Sequence, residues 1–350
     1  MVSQHKVIEV TRGDDRRYSR QRLFSKIGVE GQKKIVKSSV TLIGCGGLGS
    51  TIANSLVRAG VGRIKIVDRD YVEKENLLHQ ILYNEDDARM HMPKAKAAQR
   101  YLQKINSDVE IEAVVADVHY RNIEEMIGGS DVVMDGTDNF EARYLMNDAC
   151  LKRNIPWIYG TAAGSRGMTA TIVPGLTPCL RCIFPLVPPP EGIRTCDTEG
   201  VIVSVVQMVA SLQVVEGLKL LTGEKKPSGG LTYCDAWEGT YTRSSLSRLE
   251  DCPSCQRGEY PALKARKGSS VNALCGRNTV MITYYEPKHI NLSSLAKKLE
   301  PIGQIDVAEE MLLCHIDGYE MAVFPDGRAI IKGTEDPKVA RGLYSRYVGN

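Results

Sequence analysis

One run of residues constrains this chain more than any other. Ser39-Val40-Thr41-Leu42-Ile43 reads as a buried strand and opens directly into Gly44-Cys45-Gly46-Gly47-Leu48-Gly49-Ser50. A helical stretch over 51–59 follows, then a second strand over 63–67 that ends at Asp68, 19 residues past Gly49. Strand, glycine loop, helix and strand in this order predict the dinucleotide-type unit of a parallel sheet. Glycines lacking a Cβ let backbone N–H groups approach phosphates, and the helix N-terminus adds the positive end of its dipole. Gly44, Gly46, Gly47 and Gly49 are therefore candidate nucleotide contacts, with Asp68 a candidate acceptor for ribose hydroxyls. By itself the pattern says nucleotide, and fits NAD or FAD.

The alternation continues along the chain. Helices are expected over 94–105, 122–127 and 142–153, and strands over 109–115, 131–134, from 156, and over 168–173. Residues 18–36 read as an amphipathic helix interrupted near Gly28 or Gly31. The stretch 201–221 is apolar nearly all round and predicts a buried helix. Ser204, Gln207, Ser211, Gln213, Glu216 and Lys219 make it too polar to span a bilayer. Paired strands are expected over 231–235 and 240–244. The basic, loop-like run 256–270 predicts a linker between a domain over 1–255 and a smaller one over 271–350, the latter in βαβββα order. The expected fold is α/β: a Rossmann-like, mostly parallel sheet with helices on both faces, plus a small C-terminal α+β domain.

Composition narrows the function. A net charge of +3, from 45 Lys+Arg against 42 Asp+Glu, gives no bulk electrostatic case for nucleic acid. Charge rather than an apolar run follows Met1–Lys6, so no signal peptide is expected and the cytoplasm is the expected compartment. The ten cysteines should then be reduced, metal-bound, catalytic or buried. Two C-x-x-C knuckles, Cys179-Leu180-Arg181-Cys182 and Cys252-Pro253-Ser254-Cys255, supply four thiolates, which suits a closed, structural Zn2+ site. Their long separation means the site would clip two distant segments. Cys45, Cys150, Cys234, Cys275 and Cys314 sit in apolar or backbone-tight contexts and read as packing residues.

Two further motifs, Arg17-Tyr18-Ser19-Arg20-Gln21 and Asp135-Gly136-Thr137-Asp138-Asn139, join the glycine loop and the knuckles. With all of these in order, the chain from about Tyr18 to Cys255 resembles the ThiF/MoeB family. These are prokaryotic relatives of ubiquitin-activating enzymes that adenylate the C-terminal glycine of small ubiquitin-like sulfur carriers. The tail around Cys275-Gly276-Arg277-Asn278-Thr279-Val280 is similar to Bacillus-like ThiF proteins and extends the resemblance over nearly the whole chain.

The resemblance implies ATP and Mg2+ in place of NAD. Adenylation is in-line attack of a carboxylate on the α-phosphorus, so two anions meet and cations must neutralise them. Lys94 matches the lysine placed on the phosphates, Asp138 the acid that helps hold Mg2+, and Arg20 an arginine delivered across a homodimer interface. Asp70, Asn76 and His79 belong to the same pocket. One departure stands out: the family usually has Asn-Leu-Gln-Arg-Gln where this chain has Asn76-Leu77-Leu78-His79-Gln80. Imidazole is shorter and cannot form the bidentate fork of an arginine. Either His79 serves in its place, or a neighbour such as Arg89 does, or ATP use is altered. Cys196, in a Pro-rich segment, matches the cysteine that the family can join to its carrier through sulfur.

The expected activity is ATP-dependent adenylation of a ThiS-type carrier for thiamine-thiazole biosynthesis. A MoaD-type carrier of molybdopterin biosynthesis is the near alternative, and an NAD-dependent oxidoreductase or an inactive binding scaffold the more distant ones. A sulfur donor, such as a cysteine desulfurase or sulfurtransferase, is the expected second partner; no nucleic acid or membrane is expected. The chain ends Val348-Gly349-Asn350, so it is not expected to be its own fused carrier.

Overall fold

A computed structural model describes residues 16–186, 199–224, 229–264, 269–274, 278–284, 288–307 and 311–349, with 269–274 in backbone only. Eight strands form the larger sheet: β1 (Ser39–Ile43), β2 (Arg63–Asp68), β3 (Glu110–Val115), β4 (Val132–Asp135), β5 (Trp157–Ala163), β6 (Arg166–Ile172), β7 (Leu231–Asp235) and β8 (Thr240–Ser244). Their order is β3-β2-β1-β4-β5-β6-β7-β8. The pairings from β3 through β5 are parallel, and those from β5 through β8 antiparallel. The expected mixed α/β architecture is what forms. Val40, Leu42, Ile43, Ile64, Ile66, Val132, Val133 and Met134 are all buried, as parallel strands covered on both faces require. One face carries the helices Gly47–Ala59, Lys94–Ile105 and Val203–Thr222; the other carries Phe140–Arg153 and both cysteine knuckles.

Chain order reverses direction at β1, whose neighbours are β2 and β4. A crevice opens at such a switch point, beyond the carboxyl ends of the strands. Here it is formed by a backbone crossing that only glycine permits. A Cβ on Gly49 would lie 2.0 Å from the Gly44 carbonyl oxygen, and one on Gly136 would lie 2.2 Å from the same atom. Gly44 itself has φ +84°, where a side chain is strained.

Several expectations are corrected. The helix after the loop begins at Gly47, inside the glycine run, so the loop's later glycines form its first turn. The amphipathic run is interrupted at Gly28 (φ +60°), as expected, and forms two helices, Ser19–Leu23 and Gly28–Lys37. Val203–Thr222 is not buried all round: Val205, Val209, Gln213 and Gly217 face the core, while Ser204, Gln207, Ser211 and Val215 are exposed. Its length and apolar content alone would suffice to cross a membrane, and its packing on β5, β6 and Gly47–Ala59 accounts for that composition.

The C-terminal unit is a six-stranded antiparallel sheet in the order β11-β12-β13-β14-β10-β9. Its strands are β9 (Ser269–Leu274), β10 (Thr279–Tyr284), β11 (Gln304–Val307), β12 (Leu312–Ile316), β13 (Tyr319–Val323) and β14 (Ala329–Lys332). Helices Leu292–Leu299 and Pro337–Tyr347 cover one face. Neither β9 nor β11 is anticipated by the sequence pattern. The interval expected as a linker is partly structured. Pro261–Leu263 forms a 3₁₀ turn against the first domain's core, and β9 begins at Ser269.

Gly49→Ala should force the crossing apart. Overpacking of a closed backbone contact costs about 1–3 kcal/mol, read as a lower urea midpoint with an unchanged m-value. A midpoint equal to wild type would contradict the crossing.

Candidate functional site

The crevice is a cavity of about 290 Å³ lined by the glycine loop, the ends of β2 and β4, and the segments after them. At the end of β2, buried Asp68 accepts the Cys45 N–H on one carboxylate oxygen and the Asp70 N–H on the other, at 2.7 Å for Asp70. Each oxygen keeps a further lone pair for a ribose hydroxyl. Burial pushes this carboxyl up, and Lys94 offsets only part of that rise. Lys94 is 3% exposed and opens the Lys94–Ile105 helix. Its backbone N–H donates to the Asp70 carbonyl at 2.9 Å, and its Nζ lies 3.4 Å from the Asp70 carboxylate. Asn76 lines the wall with Oδ1 accepting the Glu73 N–H at 3.0 Å, which leaves its amide N–H groups as the donor.

On the opposite wall, Asp138 follows β4 and faces the cavity. Its turn is held from beneath by a buried ion pair. Arg143 Nε lies 3.0 Å from Asp135, and Arg143 Nη2 donates to the carbonyls of Thr137 and Gly160 at 2.6 and 2.9 Å. Asp135 also accepts both the N–H and the hydroxyl of Thr137. Asn139 caps the next helix by accepting the Ala142 N–H. Asp138 therefore projects from a turn braced by the Asp135–Arg143 pair.

His79 reaches the cavity, its ring packed against Gly47. Arg89 does not: it is exposed, paired with Asp86, and absent from the cavity wall. A different arginine lines the cavity. Arg69 sits between Asp117, 3.0 Å from its Nη1, and Asp70, 3.8 Å from its Nε. Burial works against its charge, but Asp117, Asp70 and Asp138 outweigh that and hold it protonated. Gln80, 4% exposed, also lines the wall, and its Oε1 has no hydrogen-bond partner among the described residues. A buried acceptor left unpaired costs about 1–3 kcal/mol, a cost that a ligand N–H would remove. Arg20 lies on the exposed Ser19–Leu23 helix, away from this wall. Cys196 and Cys275 lie outside the described residues.

On the far side of the sheet, Cys179, Cys182, Cys252 and Cys255 converge, with all four sulfurs within 4.8 Å of one another. The pairs Cys179–Cys252, Cys182–Cys255 and Cys179–Cys182 are 3.6, 3.4 and 3.9 Å apart. A tetrahedron with 2.3 Å metal–sulfur bonds has edges of about 3.8 Å, so the donor set fits zinc. Burial pushes the Cys179 thiol up. At Cys252 burial opposes the thiolate, but N–H groups of Cys255 and Ser254 outweigh it. Elsewhere burial raises Cys45 to about 12 and Cys314 to about 11, and raises Cys150 as well, which suits packing rather than nucleophilic roles.

The family model for the ThiF family matches residues 18–254. The chain belongs to the ThiF family. It is 45% identical over 337 residues to the sulfur carrier protein ThiS adenylyltransferase of Bacillus subtilis, covering 95% of this chain and 99% of the relative. It is 38% identical to the SAMP-activating enzyme E1 of Haloferax volcanii, over 71% of this chain and 91% of that one. A solved structure of E. coli MccB with ATP superposes with a TM-score of 0.61 at 23% identity, covering 69% of this chain and 75% of that one, a likeness of fold.

In this ThiF-family chain, sequence reasoning missed Arg69, Asp117, the Asp135–Arg143 pair and Asp148. Only position signals the first two: Arg69 follows the end of β2 and Asp117 lies just past β3. Asp148, wholly buried, ties the knuckles together. It accepts the Ser254 hydroxyl at 2.6 Å and the Ala262 N–H at 2.8 Å, and pairs with Arg181 at 3.2 Å. Asp148→Ala would strand the mostly buried Arg181 charge and should lower unfolding free energy by about 3–5 kcal/mol in urea denaturation. A loss below about 1 kcal/mol, the range of a solvated pair, would contradict this role.

Proposed function

We propose that this chain binds Mg2+–ATP in the switch-point cavity and adenylates the C-terminal carboxylate of a ubiquitin-like sulfur carrier of the ThiS type. The observation that carries the reading is the buried lysine. Lys94 is held in the cavity wall beside Asp70, with Asp138 on the facing wall, an arrangement suited to a polyphosphate and its cation. Likeness to the Bacillus ThiS adenylyltransferase over 95% of the chain, C-terminal sheet included, favours a ThiS-type over a MoaD-type carrier.

In the reaction a carboxylate oxygen of the carrier attacks the α-phosphorus, the Pα–O–Pβ bond breaks, and pyrophosphate leaves with the electron pair. Amides at the start of the Gly47–Ala59 helix and Lys94 offset phosphate charge. Asp138, which lines the same cavity as Asp70, would hold Mg2+, which when bound screens the phosphate oxygens. Asp68 and Asn76 orient the nucleoside end. Arg20 is delivered by a second copy: it shares the Ser19–Leu23 helix with Leu23, and beside it Phe24 is exposed, an apolar surface for a homodimer to cover. Sulfur then comes from a donor, with Cys196 the candidate thiol for capture of the adenylate. Opposite the cavity, the four-cysteine cluster holds Zn2+ as a structural clip.

Carrier-dependent ATP–pyrophosphate exchange tests the site. Lys94→Ala and Asp138→Ala should each lower kcat on the order of 100-fold or more while the circular dichroism spectrum stays native. Full exchange in either variant would remove that residue from the chemistry, and binding of NADH but not ATP by wild type would support an oxidoreductase. Metal analysis tests the clip. Wild type should hold one zinc per chain, and Cys252→Ser should lose it and melt at lower temperature. Zinc-free wild type prepared without chelator would contradict the site.

A further inference from the structure

The C-terminal sheet docks on the loop that carries Asp70, the acid paired with Lys94. Tyr71, one residue past Asp70, is buried among Met281, Leu313, Ala322, Phe324 and Ile330 of that sheet and its edge. Its hydroxyl donates to Glu320 at 2.9 Å, and Lys332 bridges Glu320 and Glu73. Two further contacts reach residues that line the cavity. Thr283 Oγ1 donates to Asp117 at 3.2 Å, and Arg328 Nη1 donates to the Arg69 carbonyl at 2.6 Å.

Arg328 is an expensive residue to place there. It is 1% exposed and stacks 3.9 Å over Phe324. Its Nε lies 3.4 Å from Asp326, and its Nη2 has no hydrogen-bond partner among the described residues. A buried guanidinium so incompletely satisfied is a poor source of stability, and an apolar side chain of similar volume would pack there at less cost. What it does instead is hold one peptide group. The carbonyl of the Arg69–Asp70 peptide accepts from Arg328, and the N–H of the same peptide donates to Asp68. A planar amide held at both polar ends has a fixed orientation. That orientation aims Asp70 at Lys94, and the Arg69 side chain at Asp117, itself held by Thr283.

We propose that the C-terminal sheet is a positioning element of the adenylation site, acting through Arg328 on the Arg69–Asp70 peptide and through Thr283 on Asp117. The inference rests on the nucleotide reading of the cavity. Arg328 and Thr283 are not part of the cavity lining; they set where Asp70, Lys94 and Arg69 stand.

Carrier-dependent pyrophosphate exchange by the full chain decides it. Arg328→Met keeps the length and the packing on Phe324 but removes the donors. It should lower kcat on the order of 10- to 100-fold, with a smaller change in KM for ATP, and Arg328→Lys should recover part of the loss. Thr283→Val, close in shape, should lower kcat several-fold and serves as the deciding variant if the methionine variant does not fold. Leu299→Ala, which loosens the C-terminal core away from the loop, should lower the melting temperature and leave kcat at the wild-type value. Added to Asp70→Asn, Arg328→Met should cause little further loss, because both act on the same pair. Wild-type kcat in folded Arg328→Met, or in Thr283→Val where the former does not fold, overturns the proposal, as do fully additive losses with Asp70→Asn. Lys94→Ala separates the two readings: full activity there removes the cavity assignment itself, whereas an inactive Lys94→Ala beside fully active Arg328→Met and Thr283→Val removes only this inference.

Discussion

Three glycines meeting at one carbonyl oxygen are the contact on which the rest of the molecule depends. Gly44, Gly49 and Gly136 bring the end of β1, the start of its helix and the end of β4 closer than any Cβ would allow. Because β2 and β4 leave β1 on opposite sides, that crossing fixes where the sheet opens. It sets the helix N-terminus beside the Asp138 turn, so a phosphate chain and the acid that holds its cation can share one small cavity.

Electrostatics then decides what the cavity accepts. Asp68, Asp70, Glu75, Asp117 and Asp138 line it alongside the cations Arg69 and Lys94. A bare polyphosphate would be repelled by this many carboxylates; one that arrives with a divalent cation is matched by them. Arg69 and Lys94 are each paired with an aspartate, which aims both side chains, and the carboxylates around Arg69 hold it charged. The cavity wall thus contains an arginine, although His79 stands where the family usually places one. It enters from the end of β2 and not from the Asn76–Gln80 segment.

Local patterns of spacing are legible in the sequence, and pairings across the fold are not. The glycine loop, both knuckles, Lys94 and Asp138 announce themselves by residue type at fixed offsets, because their chemistry needs those offsets. Arg69 and Asp117 look like ordinary surface charges along the chain, and only the parallel pairing of β2 with β3 makes them partners. Asp148 sits mid-helix, where an acid reads as solvated until the Pro261–Leu263 turn folds back on it. Arg89 is near His79 in sequence, but its helix turns it outward onto Asp86. The last two residues of the run expected as a linker, Ser269 and Ser270, belong to β9, whose backbone pairing with β10 a polar sequence does not announce.

The most direct test of the central claim is intact-mass spectrometry of a ThiS-type carrier incubated with this protein, ATP and Mg2+. An acyl-adenylate formed in the switch-point cavity adds one AMP moiety to the carrier's C-terminus, and removal of ATP or of the carrier's terminal glycine should abolish the shift. A carrier of unchanged mass under conditions in which the protein binds ATP would contradict the account.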